Sequence, residues 1–254
     1  MMLSVTDLAI HFGGLKAVDG LSFEVNEGEI FTIIGPNGAG KTTVFNLLSR
    51  IYAPTYGDMV FQGESLLSTP AHGIAKRGIA RTFQNIELFD HATVLQNLLV
   101  GRTRHGKTNF IEDMLFFPHV KRAERAHRRA VEEIIDFLEL APYRDQMVAG
   151  LPYGVRKIVE IGRALATDPS LLLLDEPASG LSSEETSDLA FWISDIRKVL
   201  GITVLMVEHD MSLVRRVSDR VLAMAQGKPL ATGTVAEVTS DASVIEAYLG
   251  AQSA

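Results

Sequence analysis

Residues 35–43, which read GPNGAGKTT, constrain this chain more than any other stretch. They follow an apolar run at 30–34 that predicts a buried strand, and they precede a segment at 44–48 that predicts the start of a helix. The spacing G-x-x-x-x-G-K-T between a strand and a helix is the pattern of a phosphate-binding loop. Its glycines can adopt positive φ and bring backbone N–H groups to phosphate oxygens without a Cβ in the way. The sequence therefore predicts a phosphate site at this junction.

Lys41 and Thr42 supply the chemistry of the loop. A lysine at this position can reach the β- and γ-phosphates of a nucleotide, and the threonine hydroxyl can ligate Mg²⁺. The start of the helix adds unpaired N–H groups and the positive end of a dipole. The plainer alternative is a glycine-rich turn that binds nothing, and the strand, the spacing, the lysine and the threonine together disfavour it.

Two other apolar strands end in residues that would complete such a site. Residues 171–174 are followed at once by Asp175 and Glu176, and residues 202–207 are followed two positions later by His209. In a parallel sheet the carboxyl ends of the strands share one ligand crevice. The first acid can hold Mg²⁺ through water, and the second can orient or deprotonate an attacking water. Solvated acids and a packing histidine are the plainer alternatives.

Composition excludes several classes of protein. The chain has 254 residues, 46% of them hydrophobic and 22% charged, which suits one large domain or a core with a subdomain. No apolar run approaches the roughly 18 residues that span a bilayer, and residues 1–7 do not resemble a signal peptide. Cysteine is absent, which excludes disulfides and thiolate metal sites and is consistent with the cytoplasm. A net charge of −7 argues against a general nucleic-acid binder.

The remaining patterns predict an α/β core with a helical insert. Residues 3–12 and 21–25 alternate between apolar and polar, which predicts two half-buried strands joined through 13–14 and 19–20. Residues 79–84 predict a short strand that ends in Gln84. The pattern changes to helix from about 90 to 150.

Three further stretches complete this survey of the chain. Residues 221–232 predict a terminal hairpin, and residues 236–250 predict a helix. The basic stretch at 102–129 is interpreted as a solvated helical face or a mobile loop rather than a lipid-headgroup contact.

This set of motifs resembles the nucleotide-binding subunits of ABC transporters over nearly the whole chain. Order and spacing carry the resemblance: the loop, then Gln84, then residues 151–155 in the place of the family signature, then the two acids, then His209. The resemblance implies an α/β fold with a P-loop NTPase core, whose sheet is RecA-like and mostly parallel, an antiparallel β subdomain and an inserted α-helical subdomain.

The resemblance also implies domain boundaries within residues 1–254. The core and β subdomain are expected at about 1–88 and 158–235. The helical subdomain is expected at about 89–157, and a C-terminal helical tail at about 236–254.

The resemblance further implies roles for single residues, with ATP and Mg²⁺ as the cofactors. Glu176 becomes the catalytic base, Gln84 the residue that senses Mg²⁺ and the lytic water, and His209 the switch on the γ-phosphate. The implied ATP contacts are Phe12, Gly35, Pro36, Asn37, Gly38, Ala39, Gly40, Lys41, Thr42 and Thr43. The implied Mg²⁺ contacts are Thr42, Gln84 and Asp175. The signature residues that would meet the ATP of a second subunit are Leu151, Tyr153 and Gly154. The position of Phe12 alone favours a core or edge aromatic, and only the resemblance makes it the residue that stacks on adenine.

Three positions depart from the family pattern. The signature is usually L-S-G-G-Q, whereas this chain has Pro152 for serine and Val155 for glutamine. Proline offers neither a hydroxyl nor an N–H, so one γ-phosphate hydrogen bond worth about 1 kcal/mol or somewhat more should be missing. Ser182 stands where the family often has aspartate. We interpret these departures as a subfamily trait rather than as a weakened or asymmetric site.

Within the family, five stretches are similar to the ATPases of branched-chain and hydrophobic amino-acid importers. They are residues 12–15, 81–84, 153–154, 208–211 and 247–250. The likeness implies the ATP-hydrolysing motor subunit of a bacterial importer for branched-chain amino acids or related small carboxylates and amides. It would lie peripherally on the cytoplasmic face of the inner membrane. Its expected partners are two transmembrane permeases, a second ABC ATPase subunit and, indirectly, an extracytoplasmic solute-binding protein, with no nucleic acid.

Other functions stay open at this point. A lipopolysaccharide-export ATPase would have a shorter helical insert and a regular signature. A soluble ABC-class ATPase of DNA repair, translation or cofactor assembly would carry paired cassettes, coiled coils or basic faces. A nucleotide-binding regulator without hydrolysis is disfavoured by Glu176 and His209 together. The sequence determines neither the transported solute nor whether the ATPase pairs with itself.

Overall fold

A computed structural model describes residues 1–105 and 118–251 of the chain. The chain divides into two compact units, one formed by residues 1–84 and 170–254 and the other by residues 85–169. Residues 106–117 of the predicted basic stretch and residues 252–254 of the predicted tail lie outside the described residues. The domain boundaries expected from the sequence stay a prediction.

The strands in the described part of the chain all belong to the first unit. They are β1 (Leu3–Phe12), β2 (Leu15–Val25), β3 (Ile30–Ile34), β4 (Tyr56–Phe61), β5 (Glu64–Ser65), β6 (Ile79–Arg81), β7 (Leu171–Asp175), β8 (Thr203–Val207), β9 (Arg220–Ala225) and β10 (Lys228–Gly233). The described helices are α1 (Lys41–Leu48), α2 (Ala71–Ile74), α3 (Val94–Gly101), α4 (Pro118–Phe137), α5 (Tyr153–Leu165), α6 (Ser183–Lys198), α7 (Met211–Val217), α8 (Val235–Ser240) and α9 (Ala242–Ala251). Short 3₁₀ turns lie at Ala75–Arg77, Arg102–His105, Ala141–Tyr143 and Val148–Gly150.

The larger sheet is mostly parallel, so the carboxyl ends of its parallel strands lie on the same side. Its strand order is β10-β9-β3-β8-β7-β6, and the pairs among β9, β3, β8, β7 and β6 are all parallel. Only β10 pairs antiparallel, with β9. Every residue of β3, β7 and β8 is buried, as expected for parallel strands covered on both faces. The carboxyl ends of β3, β7 and β8 therefore lie side by side. The loop at 35–43 follows β3, Asp175 ends β7 and Glu176 follows it, and His209 lies two residues after β8.

A second, antiparallel sheet has the order β2-β1-β4-β5. Together with the parallel sheet it confirms the predicted α/β fold class with an antiparallel β subdomain. One detail of the prediction is wrong, because residues 19–20 do not join two strands. Strand β2 runs through them, with Gly20 at φ 74° and with register shifts against β1 that mark bulges. The predicted strand at 79–84 likewise ends early, at Arg81.

The second unit packs helices α3, α4 and α5 around buried Leu98, Val131, Ile135 and Leu138. The predicted boundary at residue 157 falls inside α5, which this unit contains whole. None of the helices in the described residues is long and apolar enough to cross a membrane.

Gly101, the last residue of α3, lies close to the end of α5. A Cβ added there would lie 2.4 Å from the Arg163 carbonyl oxygen and 2.9 Å from the Cβ of Ala166. A side chain would therefore force backbone apart, whereas Gly150 in the same unit has nothing within 4 Å of an added Cβ.

We expect Gly101→Ala to lower the free energy of unfolding by about 1–3 kcal/mol, because overpacking against backbone must displace a helix. The matched control Gly150→Ala should change it by no more than about 0.5 kcal/mol. Urea unfolding followed by circular dichroism measures both. Equal transition midpoints for the two variants would contradict the close helix packing described here.

Candidate functional site

The loop between β3 and α1 requires glycine at position 40, at the start of the helix. Gly40 has φ 101°, and a Cβ on it would lie 2.4 Å from the Ala17 carbonyl oxygen. The helix begins directly after Gly40 with no side-chain cap. The first N–H groups of a helix lack intrahelical acceptors, so an uncapped start is a ready site for an anion.

Lys41 is buried beneath this loop, with 5% of its surface exposed. Its Nζ donates to the carbonyl oxygens of Gly35 at 2.8 Å and Pro36 at 3.1 Å. Burial lowers the pKa of the ammonium, and the negative charges of Glu176, Glu208 and Asp175 oppose that shift. The same three carboxylates therefore favour the charged lysine that a phosphate requires.

A cavity of about 590 Å³ opens over the loop. It is lined by Leu15, Lys16, Ala17, Asn37, Gly38, Ala39, Gly40, Lys41, Thr42, Thr43, Glu176, Gln226 and Gly227. Seven predicted loop residues and Glu176 thus border one space, of a size that suits a small ligand. Phe12 does not line this cavity. It is 46% exposed and packs edge-on against Tyr52, with the ring centroids 5.4 Å apart.

The sequence analysis missed the wall of the cavity that β2 provides. Lys16 lines the cavity and donates from Nζ to Asp19 Oδ2 at 3.1 Å. Tyr56 donates to Asp19 Oδ1 at 2.7 Å. The Tyr56 hydrogen bond, followed by that of Lys16, lowers the pKa of Asp19 to about 2. No local pattern in the sequence brings β2 to the loop, because the approach depends on tertiary packing.

Asp175 ends β7 and is 1% exposed. Its Oδ2 accepts a hydrogen bond from Arg81 Nη2 at 2.8 Å, and its backbone N–H donates to Thr82 Oγ1 at 3.4 Å. Its Oδ1 is buried and has no hydrogen-bond partner. Buried polar atoms are rarely left unsatisfied, so Oδ1 keeps the capacity to accept a hydrogen bond from a water or another ligand.

The donors at this edge fit Mg²⁺ rather than a metal held by protein alone. Magnesium prefers hard oxygen ligands and is usually bound through one or two carboxylates, waters and substrate phosphates. Asp175 offers a free carboxylate oxygen and Thr42 a hydroxyl. Within residues 1–105 and 118–251, no group of three or more histidine, aspartate or glutamate side chains could hold a metal ion.

Glu176 lies between Gln84 and His209, so the structure brings these three predicted residues together. Its Oε2 accepts a hydrogen bond from Gln84 Nε2 at 3.1 Å and lies 3.6 Å from His209 Nδ1. Its backbone adopts a left-handed conformation, φ 46°, and its N–H donates to the Val207 carbonyl at 2.9 Å. Such a conformation is uncommon for a residue with a side chain and concentrates at functional sites.

Glu208 is a structural residue that the sequence analysis did not single out. It is fully buried, and its Oε1 accepts from the Ala178 N–H at 2.9 Å. Its Oε2 accepts from the N–H groups of His209 at 2.6 Å and Asp210 at 2.8 Å. One carboxylate thus fixes the backbone after β7 and the backbone that carries His209. A glutamate directly after an apolar strand was the only signal in the sequence.

The signature residues lie in the second unit, at the start of α5. Leu151 and Gly154 are buried, whereas Tyr153 is 44% exposed. Pro152 is the N-cap residue of α5 and provides no side-chain cap. In the first unit, Ser182 forms a capping box with Glu185 at the start of α6. Serine and aspartate are both favoured caps, so this departure from the family pattern keeps the cap.

A family model described as ABC transporter matches residues 18–179. The chain belongs to the ABC transporter ATP-binding family. This confirms the predicted family and makes the chain an ATPase with a nucleotide-binding cassette. A second model, described as branched-chain amino acid ATP-binding cassette transporter, matches residues 228–254.

Similar proteins and solved structures align with almost the whole length of this ABC ATPase. The high-affinity branched-chain amino acid transport ATP-binding protein BraF of Pseudomonas aeruginosa is 42% identical over 98% of each chain. The corresponding protein LivG of Escherichia coli is 40% identical, also over 98% of each chain. The ADP conformation of MJ1267, an ATP-binding cassette of an ABC transporter, superposes with a TM-score of 0.85 and 31% identity over 98% of each chain.

We expect Glu208→Gln to destabilise the ABC ATPase by about 1–3 kcal/mol, because one acceptor oxygen becomes an NH₂ group that faces backbone N–H donors. Glu24→Gln, which changes an exposed acid on β2, should leave stability within about 0.5 kcal/mol. Urea unfolding measures both variants. A Glu208 variant as stable as the Glu24 variant would show that these three hydrogen bonds contribute little.

Proposed function

We propose that this ABC ATPase is the motor subunit of an importer for branched-chain amino acids or related small carboxylates and amides. The observation that carries the proposal is the shared cavity of the loop, Lys41 and Glu176, with Gln84 hydrogen-bonded to Glu176. The names of BraF and LivG support the choice of substrate class.

Binding of ATP would begin with an exchange of hydrogen-bond partners at Lys41. Its ammonium is held by the Gly35 and Pro36 carbonyls and can transfer these donors to the β- and γ-phosphates. The loop residues Gly35, Pro36, Asn37, Gly38, Ala39, Gly40, Thr42 and Thr43 would surround the phosphates with N–H groups and hydroxyls. Phe12 at the end of β1 would stack on adenine, which requires that it leave its edge-on contact with Tyr52.

Glu176 is the proposed catalytic base. Gln84 occupies Oε2 of its carboxylate, which leaves Oε1 to accept a proton from the attacking water. His209, whose side chain is 51% exposed, would contact the γ-phosphate as the switch residue. Gln84 would sense both the lytic water and the metal.

Thr42, Gln84 and Asp175 are the residues that would hold Mg²⁺, with Asp175 acting through water from its free Oδ1. When bound, Mg²⁺ neutralises charge on the β- and γ-phosphates. The chain's own contribution is to keep Asp175 buried at the end of β7 and held in place by Arg81.

A second ABC ATPase subunit, identical or related, would complete the site. Its Leu151, Tyr153 and Gly154 would face the γ-phosphate, so that ATP is enclosed between two chains. Two transmembrane permeases would receive the motion, an extracytoplasmic solute-binding protein would deliver the solute, and nucleic acid would have no part. The proposed location is the cytoplasmic face of the inner membrane, bound peripherally.

Purification of the tagged chain from its own membranes tests this function. Two hydrophobic permeases should co-purify, and the complex in proteoliposomes should take up leucine when ATP and the solute-binding protein are supplied. Recovery with ribosomes or DNA instead of permeases would overturn the importer. A complex that hydrolyses ATP but takes up none of leucine, isoleucine and valine would overturn branched-chain amino acids as the solutes and leave only the related small carboxylates and amides.

We expect Glu176→Gln to lower ATP turnover by about 10²–10⁴-fold, because the amide cannot accept the proton of the attacking water. ATP should stay bound, since the phosphate contacts are unchanged. Phosphate release and the nucleotide retained after gel filtration measure the two effects. Glu184→Gln, an exposed acid in the first turn of α6, is the matched control and should leave both unchanged. Unaltered turnover in the Glu176 variant would remove this residue from its role.

A further inference from the structure

Arg81, at the end of β6, is a buried guanidinium that joins three elements of the first unit. Its side chain is 8% exposed. Nη2 donates to Asp175 Oδ2 at 2.8 Å, and Nη1 donates to Asn46 Oδ1 at 2.9 Å and to Ser49 Oγ at 3.1 Å. Asn46 belongs to α1 and Ser49 is its C-cap residue, so one side chain ties the helix that follows the phosphate loop to the acid at the end of β7.

The segment 81–84 donates side-chain hydrogen bonds to the carboxylates of both Asp175 and Glu176. Arg81 pairs with Asp175 through side chains, and Gln84 donates to Glu176. Thr82 anchors the same segment, because its N–H donates to the Leu173 carbonyl at 2.9 Å and its hydroxyl accepts from the backbone of Asp175. A displacement of this segment would therefore move the carboxylates of both acids.

Packing fixes the orientation of the guanidinium. Its Cζ lies 5.5 Å from the ring centroid of Phe45 and 5.0 Å from that of Phe83. The planar fork presents separate N–H groups to Asp175 and to the end of α1, where the helix dipole favours a positive charge. A lysine ammonium would keep the charge but could not reproduce this fork.

We propose that Arg81 is the positioning residue of the magnesium site. It binds Oδ2 of the Asp175 carboxylate and thereby fixes Oδ1, the oxygen of that carboxylate without a hydrogen-bond partner, for a metal-bound water. This inference rests on the proposed role of Asp175 in the function above. Residues that orient metal ligands from behind usually change metal affinity when they are replaced. Arg81 does not line the loop cavity, so its effect should appear in the metal requirement.

The test uses the full chain and a fluorescent, non-hydrolysable ATP analogue, with binding measured during Mg²⁺ titration and separately in EDTA. Arg81→Gln should raise the Mg²⁺ concentration for half-maximal binding by about 10–100-fold. Binding in EDTA should stay at the wild-type level. Arg81→Lys should raise the requirement by less than the glutamine variant, because the charge is retained.

Arg77→Gln is the matched control, since Arg77 lies four residues earlier and pairs only at the surface with exposed Glu64. It should leave the Mg²⁺ requirement at the wild-type value. A wild-type Mg²⁺ requirement in Arg81→Gln would overturn the inference. So would an equal loss of binding with Mg²⁺ and in EDTA, which would indicate a general structural role. If the glutamine variant does not fold, the lysine variant decides by the same two criteria.

Asp175→Asn separates the failure of this inference from that of the proposed function. An unchanged Mg²⁺ requirement in this variant would remove Asp175 from the metal site and thus overturn the basis of the proposal. A raised requirement in Asp175→Asn beside a wild-type requirement in Arg81→Gln would leave the proposed function intact and refute only the role of Arg81.

Discussion

Buried charge at the carboxyl edge of the parallel sheet is the constraint on which the site depends. Lys41, Asp175 and Glu208 are each at least 95% buried, and an ionised group is costly to bury unless it is paired or hydrogen-bonded. Each has its compensation: loop carbonyls for Lys41, Arg81 for Asp175, and three backbone N–H groups for Glu208. These hydrogen bonds restrict the positions of the three side chains at this end of the sheet. They also fix the backbone that carries the proposed catalytic residues Glu176 and His209.

The parts of the site that the sequence predicts are those whose chemistry is local. The loop at 35–43 combines spacing, strand and helix within residues 30–48, and the acids at 175 and 176 directly follow an apolar run. The family confirmed by comparison follows from the order of these motifs. Local sequence patterns do not predict which distant segments pair in the fold. Arg81 meets Asp175 only because β6 and β7 are parallel neighbours, and its sequence context is that of any basic residue at the end of a strand.

The bulges in β2 and the buried Glu208 are also features that local sequence patterns did not predict. The prediction placed a break at residues 19–20 because Asp and Gly are common in turns. Tertiary pairing with β1 instead carries β2 through them, and Gly20 accommodates a positive φ there. Glu208 gave a weak signal for a related reason: the backbone groups that it binds include Ala178, which is thirty residues away in the sequence. Hydrogen-bond partners of that kind depend on the folded topology.

The left-handed backbone of Glu176 has a consequence for the evolution of the enzyme. Glycine adopts φ near 46° without a steric penalty, so selection for stability alone would favour it at this position. A glutamate at this position is therefore consistent with a less stable strand end that is tolerated for the sake of the proposed base beside Gln84. If Glu176 has that role, a descendant with glycine there would have a more stable fold that binds nucleotide without hydrolysing it, and one codon position would separate the two proteins.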